Sequence, residues 1–280
     1  MNRHRLTTMT NQDSPIMYLT HFGFTQYPFD RAPLPDELFA SSATREAKTR
    51  LQHLIELRGI GLITGEVGSG KTTVCRQLAA NLHPGLYRLF YVTLSTGNVL
   101  DMYKAIAWQL GLLVERNRAS AYRAIHTEVS RLTDTKILPV LVIDEAQHLR
   151  NDVLEDLRLL TNYAMDAERR LCLILVGLPQ LRRRLSMAVH ESLAQRIVVR
   201  YHLGGLTREE LAAYLSHRLQ LAGCNVPIFE PAATEALHQA SQGVLRKINR
   251  IAHYALSAAA IAKTRQVNIE LLQAAIEEVQ

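Results

Sequence analysis

Gly65-Glu66-Val67-Gly68-Ser69-Gly70-Lys71-Thr72 decides the reading of this 280-residue chain. The octet fills the pattern G-x-x-x-x-G-K-T, and it lies between an apolar run at 59–64 and a stretch of helical periodicity at 71–82. Its glycines let successive backbone N–H groups turn inward around a chain of phosphates. Lys71 adds a positive charge toward the β and γ phosphates, and Thr72 offers a hydroxyl to magnesium. The helix starting at Lys71 points the positive end of its dipole at the same anion. A site for ATP and Mg2+ is therefore predicted over Gly65, Glu66, Val67, Gly68, Ser69, Gly70, Lys71, Thr72 and the adjoining Thr73.

The matching element is Val140-Leu141-Val142-Ile143-Asp144-Glu145, four apolar residues and then two carboxylates at a strand's end. Asp144, 73 residues after Lys71, would hold the magnesium through water, and Glu145 would polarise the attacking water as general base. Further strands are expected at 88–94, 138–143, 171–176 and 198–203, with helices at 44–57, 99–113, 119–133 and near 151–165. Alternation of this kind argues for an α/β fold, a parallel sheet covered on both faces as an αβα sandwich. The strands are almost wholly apolar, as double-sided burial requires.

After Gly204 the strand pattern stops. Thr207-Arg208-Glu209-Glu210 reads as a capping box, and the helix it opens ends at Gly223. Pro231 opens a second helix that stops at Gly243, and 244–263 and 269–279 supply two more. The expected organisation is a polar, flexible tail at 1–16, an ATPase domain at 17–203 and a small all-α lid domain at 204–280. Tyr103 and Trp108 are expected to pack between helices.

The net charge is +6, and the basic side is 26 Arg against 6 Lys, a bias that suits phosphate recognition but also follows from genome composition. No apolar run approaches the roughly 20 residues needed to cross a bilayer, and no secretory h-region opens the chain. The odd, widely spaced Cys75, Cys172 and Cys224 read as reduced thiols of a cytoplasmic protein. Residues 169–200 carry seven arginines and one acid. Arg182, Arg183 and Arg184 in that segment, and Lys104, Arg116, Arg118 and Arg123 after the second strand, are candidates for a non-specific grip on DNA phosphates. A solvated face or a subunit interface would use the same residues, and no base-reading helix is evident.

Phosphoryl transfer to water calls for a positive charge at the developing negative one. Arg196, just before the last strand, could serve a neighbouring subunit; Arg246, at the start of a lid helix, could reach the γ-phosphate of its own chain. Either could equally be a salt-bridged surface arginine.

Taken together, His21-Phe22-Gly23-Phe24, Tyr27-Pro28-Phe29, the GEVGSGKTT loop, the DEAQHL block at 144–149, Val176-Gly177-Leu178-Pro179-Gln180-Leu181, Gln195-Arg196-Ile197 and Gly243-Val244-Leu245-Arg246 resemble the AAA+ ATPases of the ExeA (general secretion pathway protein A) type. The chain is also similar to the transposition regulators TniB, TnsC and Mu B. The resemblance implies that Arg196 is an arginine finger and Arg246 a sensor-2 residue. It also implies a homo-oligomer, ring or helical filament, with ATP at subunit interfaces, and Tyr27-Pro28-Phe29 beside the adenine unless they seal the sheet edge. One departure stands out. The fourth strand of the family ends in a polar sensor-1 residue, and here that place reads Gly177-Leu178, with Gln180 the nearest polar side chain; slow, partner-stimulated hydrolysis is the expectation.

The function expected is an ATP-dependent, non-sequence-specific binder of double-stranded DNA that oligomerises on it and recruits or activates a transposase. The alternative is an ATPase acting on a protein partner in assembly of a secretion apparatus. Members used for secretion are expected to continue into a membrane span and a cell-wall-binding domain, of which this chain has neither. A small-molecule kinase is disfavoured by the Asp144-Glu145 pair, which favours water as acceptor.

Overall fold

The computed structural model describes residues 14–30, 34–93, 97–114 and 117–279. The chain divides into two compact units, one over 40–204 and the other joining residues up to Phe39 with 205–280.

The first unit is built on five parallel strands, β1 (Ile60–Gly65), β2 (Tyr87–Thr93), β3 (Leu138–Asp144), β4 (Cys172–Gly177) and β5 (Ile197–Leu203), in the order β2-β3-β4-β1-β5. The three inner strands are buried along their whole length, whereas the edge strands β2 and β5 alternate. Side chains two apart share a face. Leu141, Ile143, Leu173 and Leu175 join one core layer with Met102, Ile106, Ile125 and Leu154. Val140, Val142, Ile174 and Val176 join another with Leu51, Leu54, Val74 and Cys75. This is the αβα sandwich expected from the alternation.

Following the tail-side helix α1 (Ser14–Phe22), the helices of the sandwich are α2 (Ser42–Leu57), α3 (Lys71–Asn81), α4 (Val99–Gln109), α5 (Arg118–Asp134), α6 (Asn151–Leu160), α7 (Pro179–Leu185) and α8 (Glu191–Arg196). The Ser41 hydroxyl caps α2 by accepting from the Thr44 amide at 3.1 Å. Leu51 and Leu54 of that helix are fully buried, each contributing about 1.5–3 kcal/mol. Two helices are shorter than their periodicity predicts. α4 gives way at Gly111, φ +76°. After α6, Ala164, Met165 and Asp166 adopt left-handed backbone in a turn closed by the Tyr163–Glu168 bridge.

The second unit contains α9 (Arg208–Leu221), α10 (Pro231–Ser241), α11 (Leu245–Ile261) and α12 (Ile269–Val279). The capping box is present: Thr207 Oγ1 accepts from the Glu210 amide at 3.2 Å, and Glu210 accepts from the Thr207 amide at 3.1 Å. The amino-terminal segment corrects the expected boundary. Residues 17–30 and 34–39 do not group with the sheet: Tyr18, Phe24 and Phe29 are buried in the helical core with Leu211, Leu215, Leu237 and Ile248. Tyr18 meets His253 Nδ1 at 3.0 Å, the Thr25 amide donates to the Ala222 carbonyl at 2.9 Å, and Arg218 donates to the Pro28 carbonyl at 2.6 Å. Phe29 sits edge-on to Phe229, so the Tyr27-Pro28-Phe29 step is explained by this packing. Most of the tail expected at 1–16 lies outside the described residues, and α1 begins at Ser14. Among the described residues no helix is long and apolar enough to cross a membrane.

Candidate active site

Strand β1 delivers Gly65 to the mouth of the loop and α3 leaves it at Lys71, with Gly70 as N-cap. Gly68 and Gly70 have φ of +82° and +100°, a region side chains disfavour. At Gly65 the reason is space: a Cβ would fall 2.6 Å from Ser69 Oγ and 2.7 Å from the Leu203 carbonyl oxygen. The buried Lys71 ammonium donates to the carbonyls of Gly65 and Glu66, both at 2.9 Å, and so lies folded under the loop. Ser69 Oγ is buried without a hydrogen-bond partner among the described residues. A buried hydroxyl left so costs about 1–3 kcal/mol, and a phosphate oxygen would satisfy it. The loop therefore fits the phosphates of a nucleotide.

Asp144, at the end of β3, is buried and accepts three hydrogen bonds, from Thr72 Oγ1 at 2.9 Å, Tyr91 OH at 2.5 Å and the Glu145 amide at 2.8 Å. The two residues expected to share a magnesium ion thus touch. Tyr91 was not anticipated. It stands on β2 opposite Val142, and a tyrosine in an apolar strand gives no local sign of a distant carboxylate. Burial, with Asp144 next, raises its phenol pKa. Burial pushes the Cys75 thiol up to about 12, with Asp144 adding to the shift, so it is no nucleophile. Glu145 is exposed and left-handed at φ +54°, and its carboxylate accepts from Gln147 Nε2 at 2.5 Å.

Arg196 ends α8, immediately before β5. Ile197 pairs in register with Ile60, and Leu203 with Gly65. The length of β1, about 20 Å at roughly 3.3 Å per residue, thus separates Arg196 from the phosphate loop of its own chain. Its guanidinium is ion-paired with Asp166 at 2.7 Å. Arg246 is exposed on the first turn of α11, in the helical unit. At the end of β4, Gln180 is exposed. The polar group against Gly177 is instead Gln147, whose Oε1 accepts from the Leu178 amide at 3.0 Å.

The basic candidates separate. Arg118 is tied up by the buried Asp156, through Nη2 at 2.6 Å and Nε at 3.0 Å, with Tyr103 OH on the same carboxylate at 2.9 Å. Arg184 donates to the carbonyls of Gln147 and Leu149 and to Asn151 Oδ1, at 2.9, 2.6 and 3.0 Å. Both therefore spend donors within the fold. Arg123, Arg182 and Arg183 are exposed, Lys104 is half-buried, and Arg116 lies outside the described residues. Tyr103 packs as expected, but Trp108 is 77% exposed. The buried stripe of α4 is Met102, Tyr103, Ile106 and Ala107, and position 108 falls off it. His148 is exposed.

Residues 53–185 match the family model of an AAA domain. Over 246 residues the chain is 38% identical to General secretion pathway protein A of Aeromonas hydrophila, spanning 87% of this chain and 45% of that protein. It is 28% identical over 146 residues to the ATP-dependent target DNA activator B of Escherichia phage Mu, spanning 52% of this chain and 43% of that one. The chain thus spans less than half the length of the curated relatives it matches. Among solved structures, Drosophila ORC bound to DNA superposes with a TM-score of 0.68 at 16% identity, over 100% of this chain and 70% of that one. That likeness is one of fold.

Proposed function

We propose that the chain is an ATPase of the AAA type, as the match at 53–185 supports, that its hydrolysis of ATP is slow and stimulated by assembly with copies of itself or by a partner, and that it assembles on double-stranded DNA to recruit or activate a transposase. The observation that carries the self-assembly is the position of Arg196 at the opposite end of the β1–β5 pair from its own phosphate loop. A finger there serves a neighbour, head to tail in a ring or filament.

In this reading Lys71 leaves the Gly65 and Glu66 carbonyls for the β and γ phosphates. Thr72 and Asp144 would hold a magnesium ion, which would neutralise phosphate charge. Glu145 takes the proton of the attacking water, and Arg196 of the adjoining subunit meets the charge on the transferred phosphoryl group. Support for DNA as partner is the similarity to the phage Mu activator and the exposed Arg123, Arg182 and Arg183. Contacts of that kind grip phosphates without reading sequence.

The second reading, an ATPase acting on a protein partner in secretion-apparatus assembly, is favoured by the longer and closer similarity to General secretion pathway protein A. Electron microscopy and fluorescence anisotropy on arbitrary duplex DNA, with ATP, ADP or no nucleotide at two salt concentrations, separate the two. ATP-dependent, salt-sensitive filaments or rings support the DNA reading. Intact hydrolysis with no DNA binding under any nucleotide supports the protein-partner reading.

A further inference from the structure

Strand β4 ends in Gly177-Leu178, with no polar side chain to face a nucleotide. Gln147 fills that place from another segment, the turn at Ala146–His148. Its amide is held from both ends. Oε1 accepts from the Leu178 amide at 3.0 Å, which turns Nε2 toward Glu145 Oε2, 2.5 Å away. The backbone that carries it is held too, since its carbonyl accepts from Arg184 at 2.9 Å. Gly177 completes the seat: a Cβ there would lie 2.6 Å from Gln147 Oε1 and 3.3 Å from the Gln147 amide nitrogen. The glycine that removes a polar side chain from the strand end is the one that admits the glutamine.

A buried amide must satisfy its donor as well as its acceptor, and the partner this one takes is the carboxylate of Glu145. This donor holds one oxygen of Glu145, whose backbone already sits in the left-handed region. We propose that Gln147 is a positioning residue for hydrolysis. It aims the Glu145 carboxylate and ties that aim to the end of β4, in place of the polar group the strand lacks. The inference rests on Glu145 acting as the general base.

The test uses the full chain and three variants, with ATP hydrolysis followed by phosphate release and nucleotide affinity measured with a fluorescent ATP analogue. Gln147→Met keeps the volume and removes the amide. It is expected to lower kcat about 10- to 100-fold, the scale of a small misplacement of a reacting group, with nucleotide affinity unchanged. Gln147→Asn keeps an amide on a side chain one methylene shorter, so that it no longer reaches both the Leu178 N–H and the Glu145 carboxylate. It is expected to lower kcat on the same scale, again with nucleotide affinity unchanged. A glutamine that only packs would alter thermal stability and leave kcat alone. Wild-type kcat in both variants overturns the proposal; should Gln147→Met fail to fold, Gln147→Asn decides by itself. Glu145→Gln keeps the two failures apart. Wild-type hydrolysis in Glu145→Gln removes the general-base reading and the proposal with it. An inactive Glu145→Gln beside normal Gln147 variants removes the proposal alone.

Discussion

Arg196→Ala tests whether the catalytic unit is one chain or two. Arg196 precedes the residue paired with Ile60, while the phosphate loop follows Gly65 at the other end of the same strand. The separation, about 20 Å, exceeds the reach of an arginine side chain. Its loss should therefore leave nucleotide affinity in dilute chain unchanged and remove assembly-stimulated hydrolysis, by roughly 10³-fold or more if it is a finger. The ion pair with Asp166 has both partners partly exposed and contributes only about 0.2–1 kcal/mol, so the variant should fold normally. Mixing supplies the number. Combined in equal amounts with Lys71→Ala, which keeps its Arg196 but has a dead phosphate loop, about one interface in four pairs an intact loop with an intact arginine under random head-to-tail assembly. Phosphate release should recover to about a quarter of the wild-type rate while each variant alone stays inactive. A mixture no better than the sum of its parts would refute the reasoning, as would weakened nucleotide binding in dilute Arg196→Ala.

Other consequences are expected in stability. Arg184→Ala removes three charge-assisted hydrogen bonds that hold residues 147–151 and should cost about 2–3 kcal/mol in denaturant unfolding, whereas Arg182→Ala with Arg183→Ala should stay within about 0.5 kcal/mol. Arg118→Ala leaves the Asp156 carboxylate buried with Tyr103 as its one remaining side-chain donor among the described residues; a loss of about 2 kcal/mol is expected, and an unchanged melting temperature would return Arg118 to the list of free surface cations. Burial lowers the pKa of His190, His217 and His253, with Arg184 and Arg218 adding to the first two. These groups are neutral in the fold, so their contribution is whole above about pH 6.5 and is lost as pH falls through the depressed folded values. Melting temperature against pH should decline there, and the slope should be shallower in His253→Gln.

The parts of this protein written in contiguous residues were legible without coordinates. The phosphate loop needs only its own glycines and the flanking strand and helix; the inner strands announce themselves by unbroken apolar runs; Thr207 and Glu210 satisfy each other across three residues. Helix ends were less legible. Ala164, Met165 and Asp166 turn left-handed with no glycine to mark it, and α6 stops before them. The exposure of Trp108 was readable from the stripe it misses, yet its size suggested packing.

What the tertiary structure alone decided is every pairing of residues far apart in the chain. Tyr18, Phe24 and Phe29 precede the first strand in sequence but are buried among helices that follow the last one, because their aromatic rings find there a core that covers them. Arg118 and Arg184 look like any surface arginine until Asp156 and the carbonyls after Glu145 are seen to consume their donors. Tyr91 reaches Asp144 from another strand, and Gln147 ties the carboxylate pair to the end of β4 through Leu178. Local conformational rules fix loops, strands and caps, since they act over a few bonds. Which polar groups neutralise each other is settled by folding, because desolvation forces each buried donor and acceptor to find a partner wherever the chain brings one.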